Sequence, residues 1–421
     1  MRVAIVGAGF SGLSAARSLR KLGHDCTIFE ARDYVGGRCR TVREGDVRFE
    51  AGGEWIDADH DRLLSLIQEF GLTLKPSPHE ERGIFRNGTW MTVADLDTTT
   101  AEDEERFYSR ADAMVSRVSK PAWSNLALAD LDRQPLTQLL EEECQTELGR
   151  WWLTADLRSD EGEDLDRIST LGWLVGYQNY TVREGTEMSA FRLAEGMQTL
   201  AERMADGLDI RLNSEVRKIE WSSDQTLVDG EAFDAVVLTV PPTVTDRVSF
   251  QPPLPAEKTA AINACRLGRT IKLTWQFDRA FWTGTPGSGN LYLDNDLQQV
   301  WDASLGSAPI LSAYICGAGA ERILANEDPV TAGLALLESA FPEAKEAFVR
   351  GWLSDWIHDP YTQGAFSFLG LRYVTGGMEH VSAPAGRLHF AGEHTSEWLG
   401  FIEGALESGE RVAAEVHLQW S

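Results

Sequence analysis

Arg2-Val3-Ala4-Ile5-Val6-Gly7-Ala8-Gly9-Phe10-Ser11-Gly12 begins a stretch that closes on Cys26-Thr27-Ile28-Phe29-Glu30. The first five residues are an apolar, β-branched run, which reads as a buried parallel strand. Leu13, Ala16, Leu19 and Leu22 then recur at helical spacing, and Gly23 stops the helix. Residues 26–29 read as a second strand, ended by Glu30. Gly7 permits a tight turn, Gly9 lets backbone N–H groups approach a pyrophosphate, and Gly12 lets the helix pack close to the sheet. Ser11 lies in the first helical turn, where partial positive charge and free N–H groups favour phosphate. Glu30, eighteen residues past Gly12, can accept both hydroxyls of an adenosine ribose. The unit is a complete dinucleotide-binding fingerprint.

The remaining composition narrows the class. With 421 residues and 43% hydrophobic content, the chain can build a large core and is expected to form two domains. A net charge of −26 argues against nucleic acid and anionic membrane as partners. Cys26, Cys39, Cys144, Cys265 and Cys316 show no metal-like or redox spacing, which fits a reducing, cytoplasmic location. The first strand starts at residue 2, leaving no room for a signal peptide, and no apolar run reaches membrane length.

Further along, Gly36-Gly37 sits between Arg32 and Arg38, as suits a loop over phosphates, and Gly52-Gly53 precedes Glu54-Trp55-Ile56-Asp57. Residues 61–70 have the period of an amphipathic helix. Residues 101–120 and 136–157 read as helices, and the acidic stretch 158–167 as a surface loop. Residues 195–205 read as a helix; residues 210–212, 216–219 and 235–240 read as strands. Ile271, Leu273, Trp275 and Phe277 alternate with polar residues, the pattern of a half-buried strand. Residues 330–350 and 401–418 read as helices.

Five of these segments, in order, resemble the flavin-dependent amine oxidases, the monoamine and polyamine oxidase relatives. They are the N-terminal unit, the Arg32–Arg38 loop, the Gly52-Gly53 turn, the strand through Lys272 and the run Gly392 to Gly404. The resemblance implies an α/β fold with FAD held across a discontinuous nucleotide domain, residues 1–75, 195–247 and 384–421. The substrate domain would be residues 76–194 and 248–383, a mixed sheet with helices. The cofactor set implied is Gly7, Gly9, Ser11, Gly12, Glu30, Arg32, Gly36, Gly37 and Arg38. To it belong Gly53, Glu54 and Trp55 of the second turn, Val216 at the adenine, and Gly392, Glu393, Phe401 and Ile402 near the flavin. Trp356 is assigned to both the flavin and the reaction site, and Lys272 to a water at flavin N5.

Two departures from the family refine the expectation. Where many monoamine oxidases carry the Cys that bonds the flavin, this chain has Ala365, so FAD is expected to be non-covalent. Where the family often has two cage tyrosines, this chain has Phe366 and Phe401, which keep the ring faces and lose the hydroxyls. Relatives acting on L-amino acids usually carry an Arg just after the second glycine turn; here no Arg appears until Arg62. The expected reaction is oxidation of an amine C–N bond to an imine, with O₂ as acceptor and H₂O₂ as product. Asp57 is the expected anchor for a substrate ammonium. A homodimer is compatible with the resemblance. An L-amino acid oxidase, a C–C desaturase or protoporphyrinogen-type oxidase, and a non-enzymatic GDP-dissociation-inhibitor-like protein are the alternatives.

Overall fold

The computed structural model describes residues 1–77, 82–181 and 187–420. Arg2–Val6 is central to a parallel sheet, paired in register with Ala235–Leu238 on one side and Asp25–Phe29 on the other. Leu388–Phe390 and Asp209–Arg211 complete the order outside them. Both faces of this sheet are covered, which is why Val3, Ala4 and Ile5 are all fully buried. The helix Phe10–Lys21 buries Leu13, Ala16 and Leu19 against Val412, Ala413 and Val416 of the C-terminal helix Ile402–Trp420. Each large aliphatic side chain buried there contributes about 1.5–3 kcal/mol. Ser14 Oγ donates to Leu406 O at 2.8 Å across the same interface. Gly12 is required by the close approach, since a Cβ would lie 2.0 Å from Gly7 O.

A second, mixed sheet runs in the order Phe348–Asp355, Thr270–Phe277, Ile310–Cys316, Gln299–Asp302, Leu291–Leu293, Gly83–Arg86 and Thr89–Thr92. The helices Val93–Val115, Leu136–Glu143, Glu147–Glu161 and Thr170–Thr181 form the neighbouring layer, with Phe107, Leu139, Leu153 and Leu174 in its core. Among the described residues, no helix is long and apolar enough to cross a membrane.

Several local expectations change. The helix expected over 101–120 starts at Val93, because Thr92 and Asp95 form a reciprocal cap on its first turn. The helix expected over 136–157 is two helices. Asp103 accepts the backbone N–H groups of Gln145 at 2.7 Å and Thr146 at 3.1 Å, and Thr146 Oγ1 caps Gly149 at 2.9 Å, which restarts the chain. The expected helix 330–350 ends at Leu337; after one short turn, Phe348–Asp355 becomes a strand because Thr270–Phe277 offers it an edge.

Two corrections bear on function. The stretch 158–167 is not a surface loop. The helix continues to Glu161, and Glu163 is fully buried, with Arg269 Nη2 2.6 Å from its Oε1 and Nε 2.9 Å from its Oε2. The strand through Lys272 is buried on both faces. The helix Pro329–Leu337 covers Leu273 and Trp275, while the polar face of Lys272 and Thr274 is enclosed by the glycine turn and by Ser312.

Candidate active site

The parallel sheet delivers its first loop to one end of a cavity of about 1160 Å³. Of the predicted cofactor residues, Gly12 alone does not line it; its place is behind the turn, where the helix meets Gly7. A Cβ on Gly9 would meet nothing within 4 Å, so the backbone there opens freely into the cavity. Glu30 Oε2 accepts from Ala8 N–H at 2.7 Å and Oε1 from Arg32 N–H at 2.8 Å. Burial raises its proton affinity and those backbone donors oppose the rise. Arg32 pairs with Asp359 at 2.5 Å, between the rings of Tyr34 and Tyr361. Val216 lies at the same end.

Glu393 joins the next three loops. Its Oε1 accepts from Arg38 Nη1 at 2.8 Å, Ser367 Oγ at 2.9 Å and Ser367 N–H at 3.2 Å. Its Oε2 accepts from Gly400 N–H at 2.8 Å. Burial penalises this carboxylate, yet Arg38 and the hydrogen bonds hold it below the usual carboxylate range. Arg38 also donates to Ala365 O at 2.6 Å. The residues on either side of these contacts, Phe366 and Phe401, both line the cavity, and Ile402 starts the C-terminal helix beside them.

Lys272 comes from the second sheet. Its Nζ donates to Gly52 O at 2.8 Å, Glu54 Oε2 at 3.1 Å and Glu50 O at 3.3 Å. All three ammonium donors are therefore engaged, and the charge is fixed beneath the Gly52-Gly53 turn. The other Glu54 oxygen accepts from Arg192 Nη1 at 3.1 Å, and the Arg192 guanidinium lies 5.5 Å from the Trp55 ring centre. Trp356 Nε1 donates to Ala51 O at 2.9 Å, seating the indole against the same turn. Asp57 is buried, not a surface acid. Its Oδ1 accepts from Ser189 N–H at 2.7 Å and its Oδ2 is 3.3 Å from His60 Nε2. The His60 ring lies 5.2 Å from that of Phe401.

A nucleotide cradle thus shares one cavity with an aromatic wall and a fixed ammonium, and a family model described as flavin containing amine oxidoreductase matches residues 10–417. The chain belongs to that family. This amine oxidoreductase is 26% identical to flavin-containing amine oxidase A of Canis lupus familiaris, over 98% of this chain and 84% of that protein. It is also 26% identical to flavin-containing amine oxidase B of Homo sapiens, over 98% of this chain and 85% of the other. Among solved structures, putrescine oxidase bound to putrescine matches with a TM-score of 0.88 at 27% identity, over 99% of both chains. The cyclohexylamine oxidase of Brevibacterium oxydans shares the fold, with a TM-score of 0.87 at 22% identity over 99% of both chains. The enzyme is an FAD-dependent oxidoreductase acting on amines.

The residues present fit FAD. The open backbone at Gly9, the ribose-competent Glu30 and the guanidinium of Arg38 all line one cavity, and they supply what a pyrophosphate and an adenosine ribose need. The wall offers no nucleophile for a covalent link at residue 365, which is Ala. Cys39 also lines the cavity, but burial pushes its thiol up to about 12, far from the reactive thiolate. FAD is accordingly held by contacts alone.

Sequence reasoning missed the other end of the amine oxidoreductase cavity. Arg82, Tyr108, Asp156, Asp160, Glu161, Tyr292 and Tyr314 line it. Asp156 accepts from Tyr292 Oη at 3.1 Å and Arg82 Nη1 at 3.3 Å. The signal available was the four-residue spacing of Asp156 and Asp160, which puts both acids on one helix face; reading 158–167 as a loop erased it.

Proposed function

We propose that this enzyme oxidises an aliphatic amine to an imine that hydrolyses to an aldehyde or ketone, with O₂ as acceptor. The carrying observation is the continuity of one cavity from Gly9 and Glu30 to Phe366, Phe401 and Lys272. When bound, FAD supplies the two-electron acceptor, taking a hydride equivalent from the carbon next to nitrogen and passing both electrons to O₂, which leaves as H₂O₂. Phe366 and Phe401 hold the uncharged amine between apolar ring faces and keep water from it. Asp57 draws the ammonium form into the cavity. Lys272, fixed by Glu54 and Gly52, sets a positive charge where negative charge develops during reduction and reoxidation. The N-terminus of Ile402–Trp420, with Ile402 packed on Gly53, adds partial positive charge.

We assign the cofactor to residues 1–75, 195–247 and 384–421, and the substrate to the remainder. The five free cysteines, four of them buried, support a reducing compartment such as the cytoplasm. The test is anaerobic mixing of the yellow protein with monoamines, diamines, polyamines and amino acids. Bleaching at the flavin band by amines, and H₂O₂ release on admitting O₂, are expected. Bleaching by amino acids alone would replace the reading with amino acid oxidation.

A further inference from the structure

Both ring nitrogens of His60 close on one residue. Nδ1 accepts the Asp57 backbone N–H at 3.1 Å, and Nε2 stands 3.3 Å from Asp57 Oδ2. The His60 backbone N–H in turn donates to Asp57 O at 3.2 Å. As the acceptor of an N–H, Nδ1 carries no proton, so the ring's proton is on Nε2, the nitrogen that faces the carboxylate. His60 is 1% exposed, and its Nε2 has no other hydrogen-bond partner among the described residues. An enclosed N–H with one acceptor in reach is costly to turn away from it.

His60 is itself held by the aromatic wall. It stands immediately before the helix Asp61–Glu69, whose first turn is bound by the buried Glu403. Glu403 Oε1 accepts the Arg62 N–H at 3.1 Å and Oε2 the Leu63 N–H at 3.0 Å. Glu403 lies two residues past Phe401, so the segment that carries the wall also fixes the helix that follows His60. The imidazole meets the Phe401 ring edge to face at 5.2 Å and the Trp398 ring at 5.5 Å. Asp57, Trp398 and Phe401 line the cavity; His60 does not, and touches all three from behind. Donors on both Asp57 oxygens, Ser189 N–H on Oδ1 and the His60 ring on Oδ2, set the plane of the carboxylate, and each oxygen can accept a further N–H.

We infer that His60 is a positioning residue for amine binding: its Nε2–H sets the Asp57 carboxylate against the aromatic wall. The distance between the charge that draws the ammonium and the ring faces that hold the amine is thereby fixed. This rests on the reading of Asp57 as the ammonium anchor and extends it to a residue that does not reach the cavity. The effect falls on capture of the amine and leaves the flavin chemistry itself alone.

The experiment is anaerobic stopped-flow bleaching of the FAD-loaded enzyme by 1-aminobutane and 1,4-diaminobutane, which separates the apparent Kd of the amine from the limiting rate of flavin reduction. His60→Phe keeps the ring against Phe401 and Trp398; His60→Asn keeps an acceptor for the Asp57 N–H. Both lose the Nε2 donor, and each is expected to raise Kd by about tenfold, the scale of one charge-assisted contact, with the limiting rate within about twofold of wild type. His60→Gln, whose amide N–H can take the place of Nε2–H, is expected to restore most of the affinity. In an Asp57→Asn background the His60 variants should add less than about twofold, since two residues acting as one unit are not additive. A loss confined to the limiting rate or to flavin content, or an undiminished effect of His60→Phe and His60→Asn in the Asp57→Asn background, overturns the inference alone. If Asp57→Asn itself leaves Kd unchanged, the ammonium-anchor reading falls and the role of His60 with it; if neither amine bleaches a bound flavin, amine oxidation falls as well.

Discussion

Glu393 accepts the Gly400 backbone N–H at 2.8 Å while its other oxygen holds Arg38 at 2.8 Å. One carboxylate therefore ties the phosphate-side loop to the turn that aims Phe401. Replacing Glu393 with Gln keeps the shape and removes the charge, leaving Arg38 half-paired in a largely enclosed position. A loss of roughly 1.5–3 kcal/mol is expected, together with weaker flavin retention. Thermal melts and the ratio of flavin to protein absorbance measure both; a variant as stable and as yellow as wild type would reduce Glu393 to a bystander.

Lys272→Met keeps an unbranched stem, one atom shorter, and removes the charge. The buried Glu54 then has Arg192 as its remaining cationic partner. Reoxidation of the reduced flavin by O₂ is expected to slow by about 10²-fold or more, the effect of losing one positioned electrostatic group. Stopped-flow mixing of photoreduced protein with O₂ reads this directly. Unchanged reoxidation would show that the lysine only braces the glycine turn.

Phe366 and Phe401 enter the cavity beside residues that Glu393 holds, Ser367 and Gly400, and the same carboxylate holds Arg38 of the flavin cradle. Phe366→Ala and Phe401→Ala should each lower kcat/KM while FAD stays bound, because the lost ring face orients the substrate and excludes water. Steady-state rates with matched flavin content decide it. Full activity in both would move the reacting amine elsewhere in the cavity.

His394 is buried behind Gly392, and burial lowers its proton affinity from the ordinary 6.5 to about 4, with Glu393 opposing the shift. The folded protein holds this ring neutral while the unfolded chain protonates it. Its stability contribution is complete above pH 6.5 and is lost as pH falls toward 4, by at most about 3 kcal/mol. His394→Gln should flatten the fall in melting temperature between those values. An identical pH slope in the variant would place the acid sensitivity on other groups.

The sequence was most legible where function demands a local chain geometry. Strand, glycine turn, helix and acid from Arg2 to Glu30 are adjacent in the chain, and their chemistry needs no distant partner to be recognised. Lys272, Phe366 and Phe401 were picked out through the family resemblance of their segments, and with Trp356 they line the cavity. What they touch was not legible: Lys272 bonds Gly52 O, 220 residues away, and Trp356 bonds Ala51 O, 305 residues away.

The acids of residues 156–164 mark the boundary. Charge and polarity by themselves determine that such residues need water or a counter-charge, and a surface loop is the commonest way to supply it. The tertiary structure supplies it otherwise. It gives Glu163 the guanidinium of Arg269 inside the protein and turns Asp160 and Glu161 toward a cavity. The N-terminal sequence determined the nucleotide unit because its turn geometry is written in consecutive residues. Only the packing of the helix Glu147–Glu161 against the second sheet decided which carboxylates face the cavity, because a cavity is made by elements far apart in the chain and no single segment encodes it.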